Sequence, residues 1–439
     1  MLLTQAATQP SPRGARARIG LAVAGGGPLG GMYELGALRA IEDAITGVDM
    51  DQLDVYVGVS SGAFIAAGLA NRLGTREMCR IFLTGDSHEA RFRPEHFVRP
   101  ALFEFLRRIG HVPGMLASWI TAWVRNPFGM DLSDTLMRFG RILPAGIFDN
   151  DAIEAFLRGL FEGQGRTNDF RELPSKLFVI AVELDSGKTV RFGSPGYEHT
   201  PISRAIEASA ALPGLYPPVK IDGKYYVDGA LQRTLHASVA LDEGMDLVIG
   251  INPLVPYNSN ATNSEAGGLT ESLVDGGLPA ILSQTFRTLL QSRMQVSLPK
   301  YAHHYPFADV LLFEPNGDDV EMFFTNVFSY THRRRVAEHA YRSTLRDLRQ
   351  RSDELAPLLA RHGLKFDTRV LDDAGRSLLD GQGAPPARRS AATACLHRAL
   401  DTLDRTLVNP DGANRRIREG SETASATKRT SVKIPRRGA

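Results

Sequence analysis

Residues 19–24 (IGLAVA) are uniformly apolar and stop at three consecutive glycines. An apolar run this short, cut off by glycine, reads as a buried strand. Beyond the glycines, Leu35, Leu38, Ile41 and Ile45 recur at helical spacing. The pattern then repeats. Residues 55–59 are apolar, Ser60-Ser61-Gly62 forms a small-residue turn, and Ala63, Ala66, Ala67 and Ala70 follow on one helical stripe. Small residues let such a helix sit close on a sheet. Repeated strand–turn–helix units constrain the chain to an α/β fold with a mostly parallel central sheet, covered by helices on both faces.

Further strands are expected at residues 177–183, 189–192, 219–221, 225–227 and 247–251. The two-residue link Asp222-Gly223 between β-type runs predicts a tight hairpin. Pro279 is expected to open a helix with the apolar face Leu282, Phe286, Leu290 and Met294, and another helix is expected over 333–351. Residues 75–150 lack strand-like runs and interleave Phe92, Phe97, Phe103, Phe105, Trp119, Trp123 and Phe128 with basic residues. They read as a helical insertion. It is either a lid or membrane-surface element, or a plain accessory core.

Composition excludes several classes. A 439-residue chain that is 43% hydrophobic can bury a large core without disulfide or metal staples. A formal net charge of +2 is no footprint for nucleic acid. Cys79 and Cys395 are expected to be reduced thiols. His303 and His304 are adjacent and chelate poorly, so no metal site is expected. The N-terminus lacks the apolar stretch of about 7–15 residues that a secretory signal needs. The stretch 115–124 is shorter than the roughly 20 residues that span a bilayer. These features suggest a cytoplasmic protein. Residues 1–18 are expected to be disordered. Residues 385–439 form a basic tail with eight Lys/Arg against two Glu over 412–439, and it is also expected to be disordered.

Three local patterns can carry chemistry. Gly25-Gly26-Gly27-Pro28-Leu29-Gly30 joins a strand to a helix, where backbone N–H groups and the helix dipole can receive a phosphate or an oxyanion. Pro28 offers no N–H, so the donors are Gly26, Gly27 or residues just after the proline. Gly58-Val59-Ser60-Ser61-Gly62 is a GxSxG motif between strand and helix, the setting of a nucleophile elbow. Asp228-Gly229-Ala230 ends a hairpin strand, where a carboxylate can take a serine proton directly. Each alone has a plainer reading, as a nucleotide loop, a structural turn and an ordinary Asp-Gly turn. His236, eight residues past Asp228, is the one candidate for a conventional triad.

Taken together and in this order, the motifs resemble those of the patatin-like phospholipase family. Residues 25–30 are similar to its oxyanion loop, 58–62 to its nucleophile elbow and 228–230 to its Asp-Gly-Ala/Gly motif. Residues 208–213 with Tyr216-Pro217-Pro218-Val219 resemble the segment that leads into its hairpin. The resemblance covers about residues 19–255 and implies a three-layer α/β/α catalytic domain there, interrupted by the insertion 75–150. An accessory, mainly helical region then spans 256–384. It implies Ser60 as nucleophile and Asp228 as base in a two-residue catalytic pair. Gly25, Gly26, Gly27 and Gly30 form the oxyanion loop, Gly58 and Gly62 relieve crowding at the elbow, and Gly229 and Ala230 support the aspartate. It implies no cofactor. The substrate would be a lipid or lysophospholipid ester, met in peripheral contact with a membrane and without nucleic acid. Leu29 stands where the family often carries Arg or Lys, which removes a side-chain contact to a lipid phosphate.

Two other classes compete. A dinucleotide-binding oxidoreductase would need an acidic residue at the end of the second strand. Ser60 stands there instead, and Asp51 and Asp54 precede the strand. A non-catalytic lipid-binding protein on the same fold would keep every motif but lack an activated serine.

Overall fold

The computed structural model describes residues 1–9, 16–85, 87, 90, 92, 146–163, 165–256, 277–317 and 330–380. Most of the expected insertion 75–150 and the tail 385–439 lie outside the described residues.

Strand β1 (Leu2–Gln5) is followed by β2 (Ile19–Val23), α1 (Gly27–Ala44), β3 (Ile45–Thr46), β4 (Val55–Val59) and α2 (Ser61–Ala70). Helix α3 (Thr75–Cys79) runs into a wider π-type turn at Arg80–Thr84. Then come α4 (Asp151–Phe161), β5 (Lys176–Glu183), β6 (Thr189–Phe192), α5 (Ile202–Ser209), β7 (Val219–Ile221) and β8 (Lys224–Asp228). Helix α6 (Ala237–Asp242), β9 (Leu247–Ile251), α7 (Gly277–His304) and β10 (Asp309–Phe313) follow. The described chain closes with α8 (Tyr330–Gln350), α9 (Ser352–Arg361), β11 (Lys365–Phe366) and α10 (Thr368–Asp372).

Nine strands form one sheet in the order β1-β10-β9-β2-β4-β5-β8-β7, with β6 also paired to β5. Its centre, β10-β9-β2-β4-β5, is parallel. Antiparallel strands finish both sides: β1 on β10, and β6 and the β7–β8 hairpin at β5 and beyond. Within the central strands, successive side chains enter different cores. Leu21, Val23, Tyr56, Val179 and Ile249 face the core built with α1, α2, α4, α5 and α8. Ala22, Val57, Val59, Ile180 and Val248 face the core built with α6 and α7. Strands buried on both faces explain why their sequences run apolar without alternation. The fold is therefore a three-layer α/β/α sandwich on a mixed, mostly parallel sheet.

The Asp222-Gly223 link is the expected tight hairpin, with φ of 49° and 83° at its two residues. Both angles are positive, as a type I′ turn requires. Two expectations are corrected. Residues 1–18 are not wholly disordered: Leu2–Gln5 pairs with β10, and Leu2 is buried. Residue 255 is no boundary between a sheet domain and a helical region, because β10 joins the sheet beside β9. The described residues belong to one compact unit spanning Met1–Gln382. Helix α7 begins near Pro279 and buries Leu290 and Met294, but Leu282 is 57% exposed.

Candidate active site

The parallel strands β2 and β4 end side by side, so their exit turns lie next to each other. The β4 turn bends sharply. Ser60 adopts φ 50° and ψ −120°, in the left-handed half of conformational space that side chains rarely enter. Such a residue stores on the order of 1–3 kcal/mol unless its surroundings hold it. Here they do. The Ser60 N–H donates to Ser209 Oγ at 2.9 Å, and Ser209 Oγ donates to the Ile180 carbonyl at 2.5 Å. A Cβ on Gly58 would meet the Ala63 backbone at 2.5 Å, and one on Gly62 would overlap the carbonyl oxygens of Val23 and Ala24. Both elbow glycines are thus required by close backbone approach.

Asp228 reaches the same place from the other direction. Strand β8 runs antiparallel to β5 and pairs Asp228 with Ala181, one residue from the Ile180 that pairs with Val59. The Asp228 N–H donates to the Ala211 carbonyl at 3.0 Å, within the small-residue segment after α5. Its Oδ1 accepts from the Ala230 N–H at 2.8 Å. A Cβ on Gly229 would overlap the Ile180 carbonyl oxygen, so the turn after the aspartate must be bare. Ser60 is 7% exposed and Asp228 3%. Burial pushes the Asp228 carboxyl up to about 6, against the Ala230 amide and the Ser60 side chain, which pull it down as hydrogen-bond partners.

The glycine loop closes on this pair. A Cβ on Gly25 would stand 2.9 Å from Ser60 Cβ and 3.3 Å from Ala230 Cβ. One absent methyl group therefore lets all three motifs converge. Gly26 and Gly30 pack against Pro253, and Gly30 donates its N–H to the Gly26 carbonyl. Gly27 has φ 62°, with nothing within 4 Å of where its side chain would be. As the first residue of α1 it has no intrahelical acceptor for its N–H, and neither does Leu29, in the same turn. The Gly26 amide differs from the expectation that grouped it with the donors. It donates to Ser61 Oγ at 2.9 Å, and Ser61 Oγ in turn donates to Glu34 Oε1 at 3.1 Å.

His236 is buried and bonded to backbone rather than to the Asp228 carboxyl. Its ring contacts the backbone of Gly229 and Arg233, and burial, with Arg233 and Arg191 adding to it, pushes it down to about 4. Among the described residues the Asp228 carboxyl accepts the Ala230 N–H, and the Ser60 side chain acts on it closely enough to pull its titration down. Cys79 is a free, buried thiol pushed up to about 12 by burial. Three polar residues at the site were not singled out from sequence as parts of it: Ser209, the hydroxyl of Ser61, and Glu34. Glu34 carried a legible signal, since it falls on the same helical stripe as Leu38, Ile41 and Ile45.

A family model described as patatin-like phospholipase matches residues 21–241. The chain is 26% identical over 241 residues to an uncharacterized protein of Acanthamoeba polyphaga mimivirus, covering 55% of this chain and 66% of that one. It is 31% identical over 81 residues to an uncharacterized NTE family protein of Mycobacterium bovis, covering 18% of this chain and 21% of that one. The chain thus spans less than two thirds of the length of these relatives. Among solved structures, VipD from Legionella pneumophila aligns with a TM-score of 0.30 and 16% identity, over 57% of this chain and 52% of that one. Human GIVD cytosolic phospholipase A2, in complex with methyl gamma-linolenyl fluorophosphonate, aligns with a TM-score of 0.28 and 13% identity, over 74% and 57%. The family match takes in the glycine loop, the serine turn and the aspartate turn within one stretch covering half of the sequence, and the chain belongs to the patatin-like phospholipase family.

Proposed function

We propose that this protein is a serine acyl-hydrolase that cleaves carboxylic esters of lipids. The observation that carries the reading is the contact between two motifs 168 residues apart. The Ser60 and Ala230 Cβ atoms both lie within 3.3 Å of where a Gly25 Cβ would stand, at a helix start, and the Ser60 side chain acts on the buried Asp228 carboxyl.

The chemistry follows from the groups present. Ser60 Oγ attacks the ester carbonyl while its proton passes to the Asp228 carboxylate. The carbonyl oxygen gathers negative charge and is met by the amides of Gly27 and Leu29, which have no intrahelical acceptor. A preorganised donor at such a position contributes about 3 kcal/mol in the transition state. The proton on Asp228 then goes to the departing alcohol, leaving an acyl group on Ser60. Water gives its proton to Asp228 and attacks the acyl carbon; Asp228 returns that proton to Ser60 Oγ as the Oγ–acyl bond breaks and the fatty acid leaves. A carboxylate held near pKa 6 suits this double role, since it can both accept and return a proton near neutral pH.

The substrate proposed is a lipid or lysophospholipid ester, reached by peripheral contact with a membrane surface. No helix among the described residues is long and apolar enough to cross a bilayer.

Reaction with a fluorophosphonate probe tests the reading, because only an activated serine is phosphonylated. Wild-type protein should label, Ser60→Ala should not, and Asp228→Asn should label far more slowly. Undiminished labelling in Ser60→Ala would refute the assignment. A lipid-panel hydrolysis assay with the same variants then identifies the ester class.

A further inference from the structure

A fully buried carboxylic acid sits behind the candidate site and takes no part in the chemistry above. Glu34, in the second turn of α1, is 0% exposed. Its Oε1 accepts the Ser61 hydroxyl at 3.1 Å, and the same hydroxyl accepts the Gly26 N–H at 2.9 Å. Its Oε2 has no hydrogen-bond partner among the described residues. Burying a carboxyl costs several kcal/mol unless it is neutral and hydrogen-bonded, so an acid here calls for a reason. Burial holds Glu34 well above the usual carboxylate range, with Ser61 the group that pulls it back.

The connectivity supplies the reason. Gly26 caps α1 and immediately precedes Gly27, whose amide has no intrahelical acceptor. Ser61 immediately follows Ser60 and opens α2. Two hydrogen bonds therefore tie the start of the glycine loop to the residue beside the nucleophile, and anchor both to the body of α1. A Cβ on Gly30 would lie 3.5 Å from Glu34 Oε1, and one on Gly31 3.6 Å from Ser61 Cβ, so the network lies directly against the first turns of α1. The distance from Ser60 Oγ to the Gly27 and Leu29 amides is the quantity an acyl-transfer site must fix. A displacement of about 1 Å there can cost about 100-fold in rate.

We propose that Glu34 and Ser61 are positioning residues for acyl transfer: the Glu34 carboxyl, through the Ser61 hydroxyl, fixes Gly26 so that the Gly27 and Leu29 amides face the carbonyl attacked by Ser60. The role rests on the acyl-hydrolase reading. It requires of Glu34 a hydrogen-bond acceptor, not a charge.

The test compares full-length wild type with Ser61→Ala, Ser61→Thr, Glu34→Gln and Glu34→Leu. It measures fluorophosphonate labelling rates, kcat and KM for p-nitrophenyl butyrate, and melting temperature. Ser61→Ala should lower kcat and the labelling rate by about 100-fold, with KM and melting temperature near wild type. Ser61→Thr, which keeps the hydroxyl, should recover most of the rate. Glu34→Gln should stay close to wild type, because its amide oxygen still accepts, while Glu34→Leu should fall with Ser61→Ala. If Glu34→Leu fails to fold, the other three variants decide. Wild-type kcat in Ser61→Ala would overturn the positioning role and leave the Ser60 reading intact. So would a loss of kcat that merely tracks a fall in melting temperature, or a Glu34→Gln variant as slow as Ser61→Ala. An unlabelled wild-type protein would instead remove the acyl-hydrolase reading, and the positioning role with it.

Discussion

The chemistry of single residues here is governed by desolvation. Asp228 sits in the sheet interior, and its carboxyl is raised from the ordinary aspartate value to about 6. The sign of its effect on stability follows. Because the folded value lies above the unfolded one, the folded state holds the proton more tightly. That contribution is complete below the unfolded value near 3.8 and is lost as pH rises through about 6. Asp228→Asn removes a buried charge and should therefore stabilise the protein by roughly 2–3 kcal/mol at pH 8 but hardly at all at pH 3.5, as read by urea denaturation at both values. The same variant should lose esterase activity. In the wild type, kcat/KM should rise with pH through an apparent pKa near 6 and then level off. A gain in stability at the cost of activity is the signature of a residue kept for chemistry. Equal stability changes at both pH values would contradict the burial argument.

At the scale of elements, helix α1 does two jobs. Its N-terminal turn presents the glycine loop, and its middle crosses α8 so closely that side chains are excluded. A Cβ on Gly36 would overlap the Ala337 carbonyl oxygen and stand 3.0 Å from Ala340 Cβ. Backbone carbonyls cannot rotate out of the way as side chains can. Gly36→Ala should therefore cost about 1–3 kcal/mol of stability, despite the better helix propensity of alanine. It should also slow fluorophosphonate labelling, since tilting α1 moves Gly27 relative to Ser60. A melting temperature at or above wild type would show that α8 can move aside. The amphipathic spacing of α1 was legible in sequence. Which of its glycines faces another backbone was not, because the partner helix lies some 300 positions away and only the fold sets their crossing. Helix α7 makes the complementary point. Its pattern predicted a continuous apolar face from Leu282 to Met294, yet Leu282 is 57% exposed while Leu290 and Met294 are buried, because only its later turns reach the sheet.

At the scale of the whole molecule, Asp309 joins segments from both ends of the described chain. Buried at the start of β10, it accepts from the Ala7 N–H at 2.7 Å and from Arg361 Nη2 at 2.9 Å. It also accepts from His362 Nε2 at 2.6 Å. A carboxylate can only accept, so the Nε2 nitrogen carries its proton here. The Arg361 side chain is largely exposed and adds little, but His362 and the Ala7 amide would be left without an acceptor. Asp309→Ala should cost about 3 kcal/mol in urea denaturation. It should also speed hydrogen exchange in β1 more than in β2 or β4, since β1 is the sheet edge and pairs with a single strand, β10. Uniform exchange across the sheet would mean that the N-terminal strand does not depend on this anchor.

The sequence by itself determined the α/β class, the strand and turn positions that flank the candidate site, and the three local patterns read there. These are local: short apolar runs, bare glycines and an Asp-Gly hairpin act through neighbours in the chain. It did not determine that Leu2–Gln5 closes one edge of the sheet, that β10 erases the boundary expected near residue 255, or that Gly26 is bonded to Ser61. Nor did it determine that Ser209 supports the strained serine and Glu34 backs the glycine loop. Those were decided by tertiary structure, because a hydrogen bond between groups far apart in the chain leaves no periodicity behind. What sets it is the order in which strands assemble and the depth at which each turn is then buried.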